Sequence, residues 1–248
     1  MTYAQNDNQA NTQSADSEAA ALAKATQNPL AAMYSLPFQN NTTLDRSDIK
    51  QNVLNIQPVI PISLGENINL INRVIIPIIS QDKSTTGIGD ISYTAWLSPT
   101  KASKIIWGVG PVFQIPTSSG DEFGSGEFGI GPSVVALTTI NQWVAGIVIN
   151  NIWTFGDAEE NKFLFQYFVN YNLPKAWYLV SAPILTANWN APSGEQWIVP
   201  FGGGAGKVFK IGKQPININA QGYYNAVKPT GWGDFQMRLQ VQLLFPKK

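Results

Sequence analysis

The chain has 248 residues, no cysteine, no histidine and equal numbers of acidic and basic side chains. A net charge of zero with no basic block argues against nucleic acid as a partner, and lacking histidine removes the usual base of serine and cysteine nucleophiles and most zinc sites. Charged residues are 13% of the chain, against roughly 25% in soluble domains, yet no apolar run approaches the ~20 residues of a spanning helix.

Residues 5–18 are rich in Asn, Gln, Ser, Asp and Ala, a composition too polar to form a packed core. Ser17-Glu18-Ala19-Ala20-Ala21-Leu22-Ala23-Lys24-Ala25 holds strong helix formers and predicts a short helix. That helix is either a lead-in to the first strand or a plug entering a barrel mouth. Thr2-Tyr3-Ala4 fits the tail of a signal-peptide cleavage site, so the region encoding the chain upstream of Met1 is expected to specify a short basic and then apolar run. Residues 1–28 thus read as an extension and 29–248 as one domain.

After Pro29 come twelve strand-like runs, near 30–40, 52–64, 67–79, 88–98, 104–116, 127–138, 142–154, 162–172, 176–189, 195–208, 214–226 and 234–245. Most alternate, as half-buried strands do. Leu54, Ile56, Pro58, Ile60 and Ile62 oppose Asn55, Gln57 and Ser63, and Ile91, Tyr93, Ala95 and Leu97 oppose Asp90, Ser92 and Thr94. Phe165, Tyr167, Val169 and Tyr171 oppose Gln166, Asn170 and Asn172, and Ile216, Ile218 and Ala220 oppose Asn217, Asn219 and Gln221. The last run puts Phe235, Met237, Leu239, Val241, Leu243 and Phe245 on one face and Gln236, Arg238, Gln240 and Gln242 on the other, with the polar face broken only at Leu244. Alternation alone fits a soluble sandwich or barrel as well as a membrane barrel.

The connections and tryptophans separate these readings. Short links, at Gly65-Glu66, 99–103, Ile140-Asn141, Pro174-Lys175 and 210–213, alternate with longer ones at 41–51, 80–87, 117–126, 155–161, 190–194 and 227–233. Short turns opposite long outer loops are the pattern of outer-membrane barrels. Trp96, Trp107, Trp143 and Trp177 fall at the short-turn ends, and Trp153, Trp189, Trp197 and Trp232 at or near the long-loop ends, as two interfacial belts would. Acids dominate the long-loop side. Lys101, Lys104, Lys175, Lys207, Lys210, Lys213, Lys247 and Lys248 fall at the short-turn ends. The fold class is therefore all-β: a transmembrane antiparallel up-and-down barrel of about 12 strands with a short N-terminal helix.

Proline resists this reading. Pro58, Pro61, Pro77, Pro111, Pro132, Pro183, Pro200 and Pro215 lie within runs, each removing a ladder donor, so bulges are expected at several. Gly108-Val109-Gly110-Pro111 repeats as Gly129-Ile130-Gly131-Pro132. These glycines, with Gly202, Gly204 and Gly206, either curve the wall or thin it to admit a solute or the N-terminal segment.

The motifs Asn28-Pro29-Leu30, Ser35-Leu36-Pro37-Phe38-Gln39-Asn40-Asn41, Val53 to Pro61, Gly87-Ile88-Gly89-Asp90, Trp107 to Pro111, Asn151-Ile152-Trp153, Gly212-Lys213-Gln214-Pro215 and Leu243 to Lys247 resemble a group of bacterial outer-membrane proteins. The group is labelled as transporters, sometimes mislabelled neuromedin U, and is similar to the phenol meta-pathway degradation-like barrels. The resemblance spans most of the chain from residue 28 and implies an outer-membrane barrel that takes up small organic compounds. It brings no established functional residues. Where Asn-His-Ile-Trp would be expected, the chain has Asn150-Asn151-Ile152-Trp153.

The expected lumen carries Asn55, Gln57, Asn69, Gln166, Asn170, Asn217, Asn219, Gln221, Gln236 and Gln240, with Arg73, Asp90 and Arg238 as its main charges, the three expected to pair with one another. Such a wall favours small neutral or weakly polar solutes over strong ion selection. Membrane lipid and lipopolysaccharide are the expected surroundings, and no cofactor, metal or catalytic residue is expected. A structural or surface-binding barrel is the alternative. An outer-membrane enzyme fits less well, since the acidic pairs Asp121-Glu122 and Glu159-Glu160 read as solvated loop charges.

Overall fold

Residues whose side chains alternate in polarity gain most as strands with each face in a different medium. The computed structural model describes residues 19–46, 48–81, 85–101, 103–157 and 159–246. Residues 1–18, Asp82, Lys83, Lys247 and Lys248, and the expectations made for them, lie outside the described residues. Twelve strands cross the wall: β1 Tyr34–Asp45, β2 Asp48–Ile56 with Val59–Ser63, β3 Ile68–Gln81, β4 Thr85–Ile88 with Ile91–Pro99, β5 Ile106–Ile115 and β6 Phe128–Ile140. There follow β7 Trp143–Phe155, β8 Asn161–Asn172, β9 Trp177–Ser181 with Ile184–Asn188, β10 Trp197–Ile211, β11 Gln214–Val227 and β12 Phe235–Phe245. Each pairs antiparallel with its sequence neighbours, and β1 closes the cylinder on β12 from Tyr34↔Phe245 to Leu44↔Phe235.

The greasy rows look outward. Phe235, Met237, Leu239, Val241 and Phe245 of β12 are exposed, as are Ile60, Ile62, Leu97, Trp107, Trp143, Trp153 and Trp177, while Gln39, Gln57, Asn170, Asn217, Asn219, Gln221 and Gln242 are buried. Leu239, 55% exposed, supplies a test of facing: Leu239→Arg should cost about 2–4 kcal/mol in lipid vesicles, against little for Gln240→Arg, as read by denaturant unfolding. Equal costs would contradict the orientation. The aromatics of the long-loop belt touch one another, Trp189 with Trp197 at 5.3 Å and Phe163 with Trp189 at 5.7 Å between centroids.

Three expectations are corrected. β1 starts at Tyr34 instead of 30, because Leu30 and Met33 are buried inside the barrel. The segments 41–51 and 80–87 are mainly the tips of long hairpins, since β1 and β2 run to Asp45 and Asp48 and β3 and β4 to Gln81 and Thr85. Apart from Leu44 and Ile49 their sequence is polar or small at every position, so no alternation marks them. On the outer side Asn40 and Asn52 exchange amide bonds of 2.9 and 3.0 Å. Trp96 belongs to no belt: it is 1% exposed and points inward, its indole N–H donating to Ser133 Oγ at 3.0 Å.

Proline marks most of the defects in the ladder. β2 breaks at Gln57–Pro58 and β9 at Ala182–Pro183, and β10 shifts register against β11 between Val199 and Pro200. Pro111 and Pro132 face each other across β5 and β6. The preceding Gly110 and Gly131 let the carbonyls of Ala95 and Asn151 come closer than a Cβ would permit. Pro61, Pro77 and Pro215 sit within strands.

Candidate functional site

The short-turn half of the lumen is filled by the chain itself. Residues 19–26 form a helix, rich in alanine and stopped at Asn28-Pro29 because proline cannot continue it. Ala23, Leu30 and Met33 pack in one cluster with Ile71, Trp96, Val135, Leu137, Val144, Val148, Phe168 and Leu244. Polar bonds tie the segment to the rim: Lys24 Nζ donates to Asn141 O at 2.9 Å, and Gln27 and Asn172 exchange amide bonds of 3.0 Å each. Gly108 thins the inner wall here, since a Cβ on it would lie 3.0 Å from Leu30 Cδ2. Of the two roles open to the helix, the structure shows the plug. Burying Leu30 and Met33 stabilises it by about 1.5–3 kcal/mol each.

Above the plug is a cavity of about 630 Å³ that opens towards the long loops. Ile75, Trp96, Val148, Ile152, Leu164, Ile184 and Ile198 form its apolar walls. Gln39, Gln57, Arg73 and Gln166 form the floor, which they share with a smaller space of about 180 Å³ against the plug. The long loops shape the mouth. Asp90 accepts the backbone N–H groups of Thr117 and Ser118 at 3.1 Å each and of Gly126 at 3.1 Å, holding 116–127 in place. Phe123 of that segment lies over Gly87, where a Cβ would strike its ring. Lys162 pairs with Glu160 at 2.5 Å. Glu195 accepts from the hydroxyl and the amide of Thr230, each at 2.6 Å. Those two bonds hold its carboxyl below the usual glutamate range, so this tether between loops persists above that range and is lost only as pH falls through the lowered value.

The wall beside the cavity is incomplete. β9 and β10 keep one register from Trp177↔Lys207 to Val180↔Gly204 and again at Thr186↔Ile198 and Ala187↔Trp197, but the pairs between, from Ser181 to Leu185, are unmade. Pro183 and Pro200 remove two of the donors that stretch would need. Side chains take up groups left over: Ser181 Oγ donates across the gap to Gly202 O at 2.7 Å, and from inside Arg238 Nη1 donates to Ala182 O at 2.7 Å, Gln166 Nε2 to the same oxygen at 3.3 Å, and Ala182 N–H donates to Tyr223 Oη at 3.2 Å. On the lipid side Phe201, 72% exposed, stands over the gap.

The structure places the sequence-derived residues as follows. Asn55, Gln57, Arg73 and Gln166 line the main cavity. Asn170, Asn217, Asn219, Gln221, Arg238 and Gln240, with Gln166, line a side space of about 130 Å³ near Tyr178. Gln236 donates to Asn225 Oδ1 at 2.8 Å, and Asn69 accepts from Ser63 Oγ at 3.2 Å near the short turn. The expected pairing of Asp90 with Arg73 and Arg238 is corrected. Asp90 is held by its loop, Arg73 donates to Gln57 Oε1 at 2.7 Å, and Arg238 donates to Asn41 Oδ1 at 2.9 Å as well as to Ala182. Asn151, at the position of the missing histidine, faces outward, bonding Asn161 at 2.8 Å and the Trp189 indole at 3.1 Å. Among the described residues no group of three or more acids could hold a metal ion. Missed from the sequence were the inward apolar residues Trp96, Val135, Leu137, Val144 and Phe168. Their signal was the loss of alternation near the short turns, as in Val134-Val135-Ala136-Leu137.

No family model and no curated protein matches the chain. Its fold is similar to the COG4313 outer membrane channel from Pseudomonas putida F1, with 16% identity over 86% of this chain and 94% of that one and a TM-score of 0.62. It is also similar to the CymD monoaromatic hydrocarbon channel, with 8% identity over 90% of this chain and 92% of that one and a TM-score of 0.50. The shared architecture is that of an outer-membrane β-barrel.

Proposed function

We propose that this chain is an outer-membrane channel that admits small neutral or weakly polar organic solutes and is closed on its short-turn side by its own residues 19–33. The observation that carries this reading is the cavity of about 630 Å³, walled by aliphatic side chains, floored by amides and open to the long loops. A volume in that range suits a small organic molecule, and the plug makes a permanently open water pore a poor reading. The likeness in fold to one barrel described as an outer membrane channel and another described as a hydrocarbon channel supports it. Lipid covers the greasy wall, and the acidic long loops stand where lipopolysaccharide headgroups and their divalent cations would meet them.

The unmade pairs beside the cavity favour a particular exit, sideways between β9 and β10. Leu185 and Val199 would be partners if the register ran through, so a disulfide between Leu185→Cys and Val199→Cys should close the gap in a chain with no cysteine of its own. In a porin-deficient Gram-negative host, expression of the chain should raise the initial uptake of benzyl alcohol severalfold. No rise would overturn the channel reading. Oxidising the double-cysteine variant should return uptake towards the vector level, whereas undiminished uptake would overturn the sideways exit and leave the route past the plug.

A further inference from the structure

The cavity has a polarity that its amide lining alone does not explain. Its walls are aliphatic, but its floor holds a guanidinium, that of Arg73. Arg73 touches both the cavity and the smaller space below. One neutral acceptor engages it, Gln57 Oε1 at 2.7 Å, and no carboxylate pairs with it among the described residues. The other cations nearby are committed. Lys162 at the rim pairs with Glu160, and Arg238 is spent on Asn41 and on the broken wall at Ala182. A cation at the floor of a largely apolar chamber without a counter-charge is costly, and a guanidinium offers several donors in a fork that matches a carboxylate.

Resting on the channel reading above, we propose that the cavity is a binding site for organic monoanions, an aromatic or alicyclic body with one carboxylate, held head-down with the carboxylate on Arg73 and the body against Ile75, Val148, Ile152 and Ile198. The amide of Gln57 keeps the guanidinium facing the ligand and turns to donate once the anion arrives. Neutral solutes of the same shape enter the same chamber but leave Arg73 uncompensated, so they bind less tightly. The second cation close by, Arg238, lies outside the cavity lining with its donors taken by Asn41 and Ala182, so dianions gain nothing over monoanions.

The test is calorimetric binding of benzoate, benzyl alcohol and phthalate to the full chain in detergent. Benzoate should bind at least tenfold more tightly than benzyl alcohol and no less tightly than phthalate. Arg73→Gln should erase the preference over benzyl alcohol while leaving benzyl alcohol binding in place, and Arg73→Lys should keep part of it. Equal affinity for benzoate and benzyl alcohol in the unaltered chain, or a preference that survives Arg73→Gln, would overturn the assignment. So would no binding of any probe. If Arg73→Gln does not fold, the three-probe series on the unaltered chain and Arg73→Lys still decides. Failure here with benzyl alcohol uptake intact removes the carboxylate seat alone, whereas loss of uptake itself strikes at the channel reading.

Discussion

Deleting residues 19–33 will turn a nearly sealed barrel into a conducting one, raising single-channel conductance in planar bilayers by about tenfold or more. The segment fills the short-turn half of the lumen with Ala23, Leu30 and Met33, and it is pinned to one part of the rim through the neighbouring Asn141 and Asn172. Without it the inward faces of Ile71, Trp96 and Phe168 meet water, so some stability is lost. The closed ladder from β1 round to β12 does not depend on the segment. Heat-modifiable gel mobility should therefore persist and separate an open barrel from an unfolded one. A folded deletion variant with unchanged conductance would mean that the lumen is closed by something other than the plug.

The second large effect concerns Arg238. Replacing it with Ala strips a donor from Ala182 O and another from Asn41 Oδ1, both inside the barrel. Each acceptor keeps only a longer bond to a neutral amide, from Gln166 at 3.3 Å and from Gln39 at 3.2 Å, and a hydrogen bond to a charged donor is worth about 1.5–3 kcal/mol, so Arg238→Ala should destabilise the barrel by about 2–5 kcal/mol in denaturant unfolding from vesicles. The guanidinium also stands 5.3 Å from the centre of the Tyr223 ring, and Tyr223 accepts the other free group of the broken strand, the Ala182 N–H. Two of the groups that brace the gap thus loosen together. Arg73→Gln, which loses one bond to a neighbouring amide, should cost much less. Comparable costs for the two would contradict the wall-bracing role.

That contrast shows what the sequence could and could not reveal. Arg73, Asp90 and Arg238 share one place in the alternation, so all three read as lumen charges, and a mutual pairing was the natural expectation. Their partners depend on which strands lie opposite and where the ladder fails, and neither is written in a period-two pattern. The prolines announced the failure in general terms. Only the closed register reveals that Pro183 and Pro200 fall on facing stretches of β9 and β10. The outer face was legible because lipid imposes one rule along every strand. The inner face obeys two rules, water above and the plug below, so Trp96 read as a belt residue and Phe168 went unassigned until the helix was placed beside them. The helix itself was readable from its alanines. Whether it sat outside or inside the mouth was not, because an alanine-rich helix suits both places.

The most direct check is thiol labelling at Ala23→Cys. Ala23 is 1% exposed, in the middle of the helix that closes the lumen. A membrane-impermeant maleimide should leave this cysteine unmodified for hours in the folded protein, while Glu66→Cys on an exposed turn at the same end reacts within minutes. Labelling of the two positions at similar rates would show that the segment does not reside in the barrel, and the closed channel described here would not stand.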